Sequence, residues 1–324
     1  MSDFKTLKGL FIKHVSSDPA NPIHGQIWYN TTTQSLKGSI TIEAWAAGGN
    51  MASTRRNHGG TGIQTSALAF GGFGDNPTVN FNHTEEYDGS SWTETANLGT
   101  ARRGPEGFGT QTASVANGGF PPPGKLTEEY NGSAWTSGNA SNTARTNRFG
   151  TAGTLTAGLI FSGSASVNTE SYDGTNWTEV ANLSTAAGNT DGTGTSTAAI
   201  CTGGDATGTL QVQTEEWDGS SWTSGGDLIT AIQQHGTFGP STQAYSVAGD
   251  NASPAVTAVV ELYNGTSWVL SPSLATARNG GSTAGATSPA IAGLFGGGFP
   301  GSGAGINSTE EFDSAVTTRT WDTT

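Results

Sequence analysis

The chain has 324 residues, 49 of them glycine, and its 13 basic against 26 acidic side chains give a net charge of 13 − 26 = −13. That balance argues against a nucleic-acid backbone or an anionic membrane as the main partner, and the single Cys201 excludes an intramolecular disulfide framework and a cysteine-rich metal site. Only 33 % of residues are hydrophobic, yet nine Trp, thirteen Phe and six Tyr at regular spacing are hard to reconcile with a chain that buries nothing.

Residues 1–40 differ from the rest of the chain. They carry Lys5, Lys8, Lys13 and Lys37, with Lys125 the only other lysine. Gln26–Tyr29 reads as a strand, Thr31–Gln34 as a turn and Ser35 onward as a return strand, a hairpin of the β-type runs and polar breaks that mark such elements. The N-terminus has no signal-peptide pattern and the chain no apolar run long enough to span a bilayer, so export, where it occurs, is expected by a route other than a cleaved signal. The Pro-rich lead followed by GQIWYNTTT and LKG resembles the short N-terminal attachment modules of bacteriophage tail-fibre and other virion structural proteins. The resemblance covers roughly a tenth of the chain and implies that residues 1–40 dock it onto other virion proteins. A small hairpin that caps the repeat region is the alternative.

From Trp45 a period begins. TEEYDGSSW (Thr84 to Trp92) returns as TEEYNGSAW (Thr127 to Trp135), TESYDGTNW (Thr169 to Trp177), TEEWDGSSW (Thr214 to Trp222), VELYNGTSW (Val260 to Trp268) and, degraded, TEEFDSAVTTRTW (Thr309 to Trp321). In each clear copy a short strand ends in an aromatic residue, Asp-Gly or Asn-Gly comes next, and Trp opens a second strand. This is a strong hairpin signal, because Gly and Asn/Asp accept positive φ cheaply. A two-residue type I′ turn and a type I turn with a Gly bulge both fit. Trp45, Trp92, Trp135, Trp177, Trp222, Trp268 and Trp321 recur at intervals from 42 (135 to 177) to 53 (268 to 321), the spacing of four-stranded propeller blades.

The expected fold is all-β: residues 41–324 as a six-bladed β-propeller of four-stranded antiparallel blades, preceded by the short N-terminal β-hairpin segment. A blade cannot cover both faces alone, and wrapping six around an axis buries those faces against neighbours. The seven repeat tryptophans are the expected bulk between blades. AWAAGGNMASTR (Ala44 to Arg55) aligns with SWTETANLGTAR (Ser91 to Arg102), so the N-terminal strand is expected to complete the last blade. Trp45 and Trp321 then compete for one position.

Within each interval a small-apolar strand ends in a glycine pair, as at Gly71-Gly72, Gly118-Gly119, Gly203-Gly204 and Gly296-Gly297, with Ser162-Gly163 and Ala248-Gly249 in the other two. The next strand carries Tyr-Asp or an equivalent, and Trp opens the fourth. This order resembles the kelch repeat over about 280 residues, with a turn shorter than the usual kelch Tyr-Asp-Pro loop. The resemblance implies a kelch-like propeller of the variety found in virion proteins.

Strand alternation puts the loops joining strands 2–3 and 4–1 at one end of such a propeller and the uniform Asp/Asn-Gly turns at the other. The 2–3 loops vary, as in Phe73 to Asn82 and Phe120 to Lys125, and variable loops on a rigid scaffold are where binding evolves. Arg55, Arg102, Arg103, Arg145 and Arg278 fall at the 4–1 junctions near that end. Together with Phe73 and Phe120 they are the candidate binding residues, since guanidinium groups take carboxylated or sulfated sugars by paired hydrogen bonds. The competing expectation is that these arginines pair with the recurrent Glu85, Glu128, Glu170, Glu215, Glu261 and Glu310.

Six copies of one acid suit structure better than catalysis, which needs unlike residues converging on a point. The five histidines lack metal-ligand spacing, and no cofactor or catalytic motif is evident. The expected function is therefore non-enzymatic: a bacteriophage tail-fibre, tail-tip or capsid appendage, located in the virion, that presents the propeller to a host-surface glycan or protein. The rival readings are a cellular carbohydrate- or protein-binding kelch module and a glycan-active hydrolase using paired carboxylates. Homo-oligomerisation stays open.

Overall fold

The structure, a computed structural model, describes residues 12–23, 25–121, 124–252, 255–285 and 291–321. Among these there is no helix, and the strands divide into two compact units. The larger is Trp45–Phe312, and the smaller comprises the described parts of 1–44 and 313–324.

The larger unit contains five four-stranded antiparallel sheets in chain order. The first runs Gly59–Ile63, Ser66–Phe70, Thr84–Tyr87, Trp92–Thr95, and the second Glu106–Thr110, Ala113–Asn117, Thr127–Tyr130, Trp135–Ser137. The third runs Gly150–Thr154, Ala157–Phe161, Thr169–Tyr172, Trp177–Glu179. The fourth is Asp191–Thr195, Ala198–Thr202, Thr214–Trp217, Trp222–Ser224, and the fifth Gly236–Phe238, Tyr245–Ala252, Ala255–Tyr263, Trp268–Ser271. Ser282–Gly285 then pairs with Ala292–Gly296, which neighbours the long strand Thr309–Trp321. A second long strand, Ser35–Ala47, lies on that one's other side. Gly48 and Met51 donate backbone bonds to the carbonyls of Thr309 (2.9 Å) and Asn307 (2.8 Å). Neighbouring first strands touch along the series, and Ser282–Gly285 touches Gly59–Ile63. This all-β arrangement is consistent with a propeller-like fold.

Each second strand is apolar and buried, and each meets the next sheet. Leu68 and Phe70 cluster with Leu98, Ala116 and Tyr130, while Phe108 and Val115 cluster with Phe149, Ile160, Tyr172 and Trp177. The glycine pairs that end these strands take positive φ, and so do Ser162 (65°) and Ala248 (58°) where the pair is not complete. In the sixth case the pair sits one residue later than the sequence suggested, at Gly297 and Gly298. First strands are glycine-rich because the neighbouring rings leave no room: a Cβ at Gly150 would fall 2.0 Å from the Phe161 ring.

The hairpin turns differ from both expected types. Tyr87 pairs directly with Trp92, leaving a four-residue connection in which Asp88 N–H donates to the Ser91 carbonyl and Asp88 Oδ1 accepts from the amides of Ser90 and Ser91, both 2.8 Å. Asn131, Asp173, Asp218 and Asn264 do the same, with Gly at positive φ after each. The bonds hold the Asp88 carboxyl down at about 2, led by the Ser90 hydroxyl.

Of the repeat tryptophans, Trp177 and Trp268 are buried and Trp45, Trp92, Trp135 and Trp222 half-buried. Trp321, expected in the core, is 43 % exposed. It lies nine residues beyond Phe312 along a strand that has already left the larger unit, and Trp45 packs in the apolar cluster with Phe238, Val260 and Phe312 instead.

In the smaller unit Lys13–Val15 runs parallel to Ile27–Asn30, which turns through 31–34 into Ser35–Ala47. Asp18 gathers Trp28 Nε1 (3.0 Å), Asn30 Nδ2 (2.7 Å) and Lys37 Nζ (2.7 Å). Trp28 is fully buried.

Candidate functional site

The expected arginines separate into two groups. Arg55, Arg102, Arg145 and Arg278 are fully buried, which corrects the expectation that they face a ligand. Each pairs with the first glutamate of the adjoining third strand: Arg55 with Glu85, Arg102 with Glu128, Arg145 with Glu170 (2.6 Å) and Arg278 with Glu310 (3.3 Å). The same glutamates accept backbone N–H groups of the incoming loop, as Glu170 does from Asn142 (2.6 Å) and Thr143 (3.0 Å). Glu215 and Glu261 accept two such amides each, although Ala187 and Ile232 stand where the other loops have arginine. A buried charge needs such a partner, so these pairs anchor the loops and are not available to a ligand.

Arg103 and its equivalent Arg56 are half-buried and lie outside those pairs. Short bridges Arg56↔Phe73, Arg103↔Phe120 and Asn279↔Phe299 set the loops side by side. The Arg56 guanidinium lies 4.4 Å from the Phe299 ring centre and 4.6 Å from Phe73, and Arg103 lies 5.5 Å from both Phe73 and Phe120. The result is an alternating row, Phe299, Arg56, Phe73, Arg103, Phe120, in which planar cations stack between aromatic faces. Phe120 is 46 % exposed and Phe73 only 7 %. Arg103 donates to the Pro77 carbonyl (3.0 Å).

Beside that row is a polar cup of about 280 Å³, lined by Arg103, Asn57, Asn147, Asn189 and Gln234 together with Phe73 and Arg148. Arg148 is 3 % exposed. Its Nε faces Glu106 (3.3 Å), one terminal nitrogen meets Asp191 (3.2 Å), and the other donates to the Gly281 carbonyl (2.9 Å). Beyond it lies a second cavity of about 90 Å³ lined by first-strand residues, including Glu106 and Asp191. Burial pushes both carboxyls upward against the pull of Arg148, Glu106 the more strongly. His58 and His235, both fully buried nearby, are driven down by burial and by the charge of Arg148.

No family model and no curated protein matches this chain.

The cluster of Arg148 with Glu106 and Asp191 was not singled out from the sequence, although signals for it exist. In five loops the first strand opens four positions after the equivalent of Arg55, as Gly59 does, while Gly150 opens five positions after Arg145. Arg148 lies in that longer loop. Glu106 and Asp191 stand at the strand openings where other copies have Gly or Ser.

Proposed function

We propose that residues 45–312 form a six-bladed kelch-like propeller closed by the N-terminal strand. We propose further that the chain is a non-enzymatic virion structural protein of bacteriophage-appendage type, whose variable-loop end recognises a host-surface glycan or protein while residues 1–40 attach it. The contact of Ser282–Gly285 with Gly59–Ile63, and the bonds from Gly48 and Met51 to Thr309 and Asn307, support closure. The virion assignment rests on the likeness of GQIWYNTTT and LKG to attachment modules.

The observation that carries the binding assignment is the row from Phe299 to Phe120. There unlike side chains converge, exposed in part, on loops that differ from copy to copy, whereas the opposite end repeats one turn with its polar atoms turned inward on itself. The carboxylates favour a non-catalytic reading, because Glu106 and Asp191 are held by a buried arginine beside a cavity of only about 90 Å³.

The test compares Arg103→Ala/Phe120→Ala with Asp88→Asn/Asp218→Asn for adsorption or partner binding at equal folded content, with mass-spectrometric stoichiometry on purified particles. Loss in the first pair alone is expected. Loss in the second alone inverts the working face, and absence of the chain from particles removes the virion assignment.

A further inference from the structure

We infer that the polar cup beside Arg103 binds a single carboxylated sugar residue, an assignment that rests on the variable-loop end being the working face. In a chain of net charge −13, the described lining of this cup holds two arginines and no carboxylate. Its volume of about 280 Å³ lies near the lower end of small-ligand sites, which suits one ring better than an extended peptide. The side chains around it are amides, and an amide both donates and accepts, as neighbouring sugar hydroxyls require. Asn189 is fixed by donating to Gln233 Oε1 (2.9 Å), which presents its own oxygen as an acceptor.

Arg103 supplies the anion recognition. Stacking between Phe73 and Phe120 orients its plane, the Pro77 carbonyl takes one of its five donors, and a two-pronged edge remains for a carboxylate. Arg148 also lines the cup, but it is 3 % exposed and its charge is already matched by Glu106 and Asp191, with its terminal nitrogens donating to Asp191 and the Gly281 carbonyl. The buried arginines and the exposed one thus divide the labour: Arg55, Arg102, Arg145 and Arg278 hold loops, and Arg103 reads charge.

The probes are the methyl glycosides of glucuronic and galacturonic acid against those of glucose and galactose, titrated calorimetrically into the full chain. At least one uronide is expected to bind at least tenfold more tightly than its neutral parent. Arg103→Ala should abolish that preference and Arg103→Lys, which keeps charge but loses the fork, should reduce it severalfold; Asp88→Asn at the opposite end should leave it unchanged. Thermal melts show that each variant is folded. Equal affinity for uronide and neutral parent, or no binding of either uronide at millimolar concentration, overturns the inference. If uronides fail while adsorption still depends on Phe120, the cup is wrong and the working face stands. If adsorption depends only on Asp88 and Asp218, the working face itself is wrong.

Discussion

The tryptophan that opens each fourth strand donates its indole N–H to a threonine of the preceding third strand. Trp135 reaches Thr84, Trp177 Thr127 and Trp222 Thr169, each at 3.0 Å, while Trp268 reaches Thr214 and Trp92 reaches Thr309 at 2.9 Å. By the same order Trp45 should meet the fifth copy, but that copy opens with Val260, and Trp45 Nε1 is buried with no acceptor. A buried unsatisfied donor costs about 1–3 kcal/mol. Val260→Thr supplies the missing oxygen at a position where five copies already accept threonine. It is expected to stabilise the protein by about 1 kcal/mol, roughly a net hydrogen bond, in urea denaturation at constant m-value. A destabilised variant would mean that Trp45 is not held as its five counterparts are. The departure VELY is plain in the sequence, but its consequence was not legible, because the strand that Trp45 faces is fixed only when the sheets are assembled.

Across third strands the aromatic residue of one copy addresses the second acid of the copy before it. Tyr130 bonds Glu86 (2.7 Å), and Tyr172, Tyr263 and Tyr87 bond Glu129, Glu216 and Glu311. Where the acid is replaced, the next hydroxyl is missing too: Ser171 precedes Trp217, and Leu262 precedes Phe312. The six copies are thus matched in neighbouring pairs, and Glu311 with Tyr87 joins the last copy to the first. Introducing Ser171→Glu with Trp217→Tyr should recreate the pair, and the double-mutant cycle is expected to give a favourable coupling of about 0.5–3 kcal/mol; additive single effects would show that the two positions do not meet. The strands and hairpins were legible because alternation, Asx-Gly turns and a fixed period are local properties. The four-residue turn was not, since Asx-Gly fits several loop lengths until Tyr87 and Trp92 are seen to pair. Likewise Arg102 and Arg103 are neighbours in one loop, and only packing separates an anchor from a candidate reader.

At the scale of the whole larger unit, neighbouring first strands touch and all but the third loop reach them with the same length, so the longer third loop brings the Arg148 cation to Glu106 of one sheet and Asp191 of another. That cation serves two carboxylates, and burial raises both of them, Glu106 to about 8 from its ordinary 4.5. An acid raised on folding keeps its proton in the native state after the unfolded chain has released it, so its contribution to stability is full below about pH 4.5 and is lost as pH rises through about 8. His58 and His235 act with the opposite sign: lowered on folding, they cost stability only as pH falls below their ordinary 6.5. Below pH 6.5 the two effects oppose each other. Toward pH 8 the histidines become neutral in both states and the Glu106 contribution dominates. Stability there is expected to fall with pH at up to about 1.4 kcal/mol per unit. Glu106→Gln, which mimics the protonated acid, should flatten that slope while leaving the histidine-dependent decline on the acid side. Urea denaturation from pH 5 to 8.5 on both proteins decides it: a slope between pH 7 and 8 that survives in Glu106→Gln would mean that the Glu106 carboxyl is ionised throughout, balanced by Arg148.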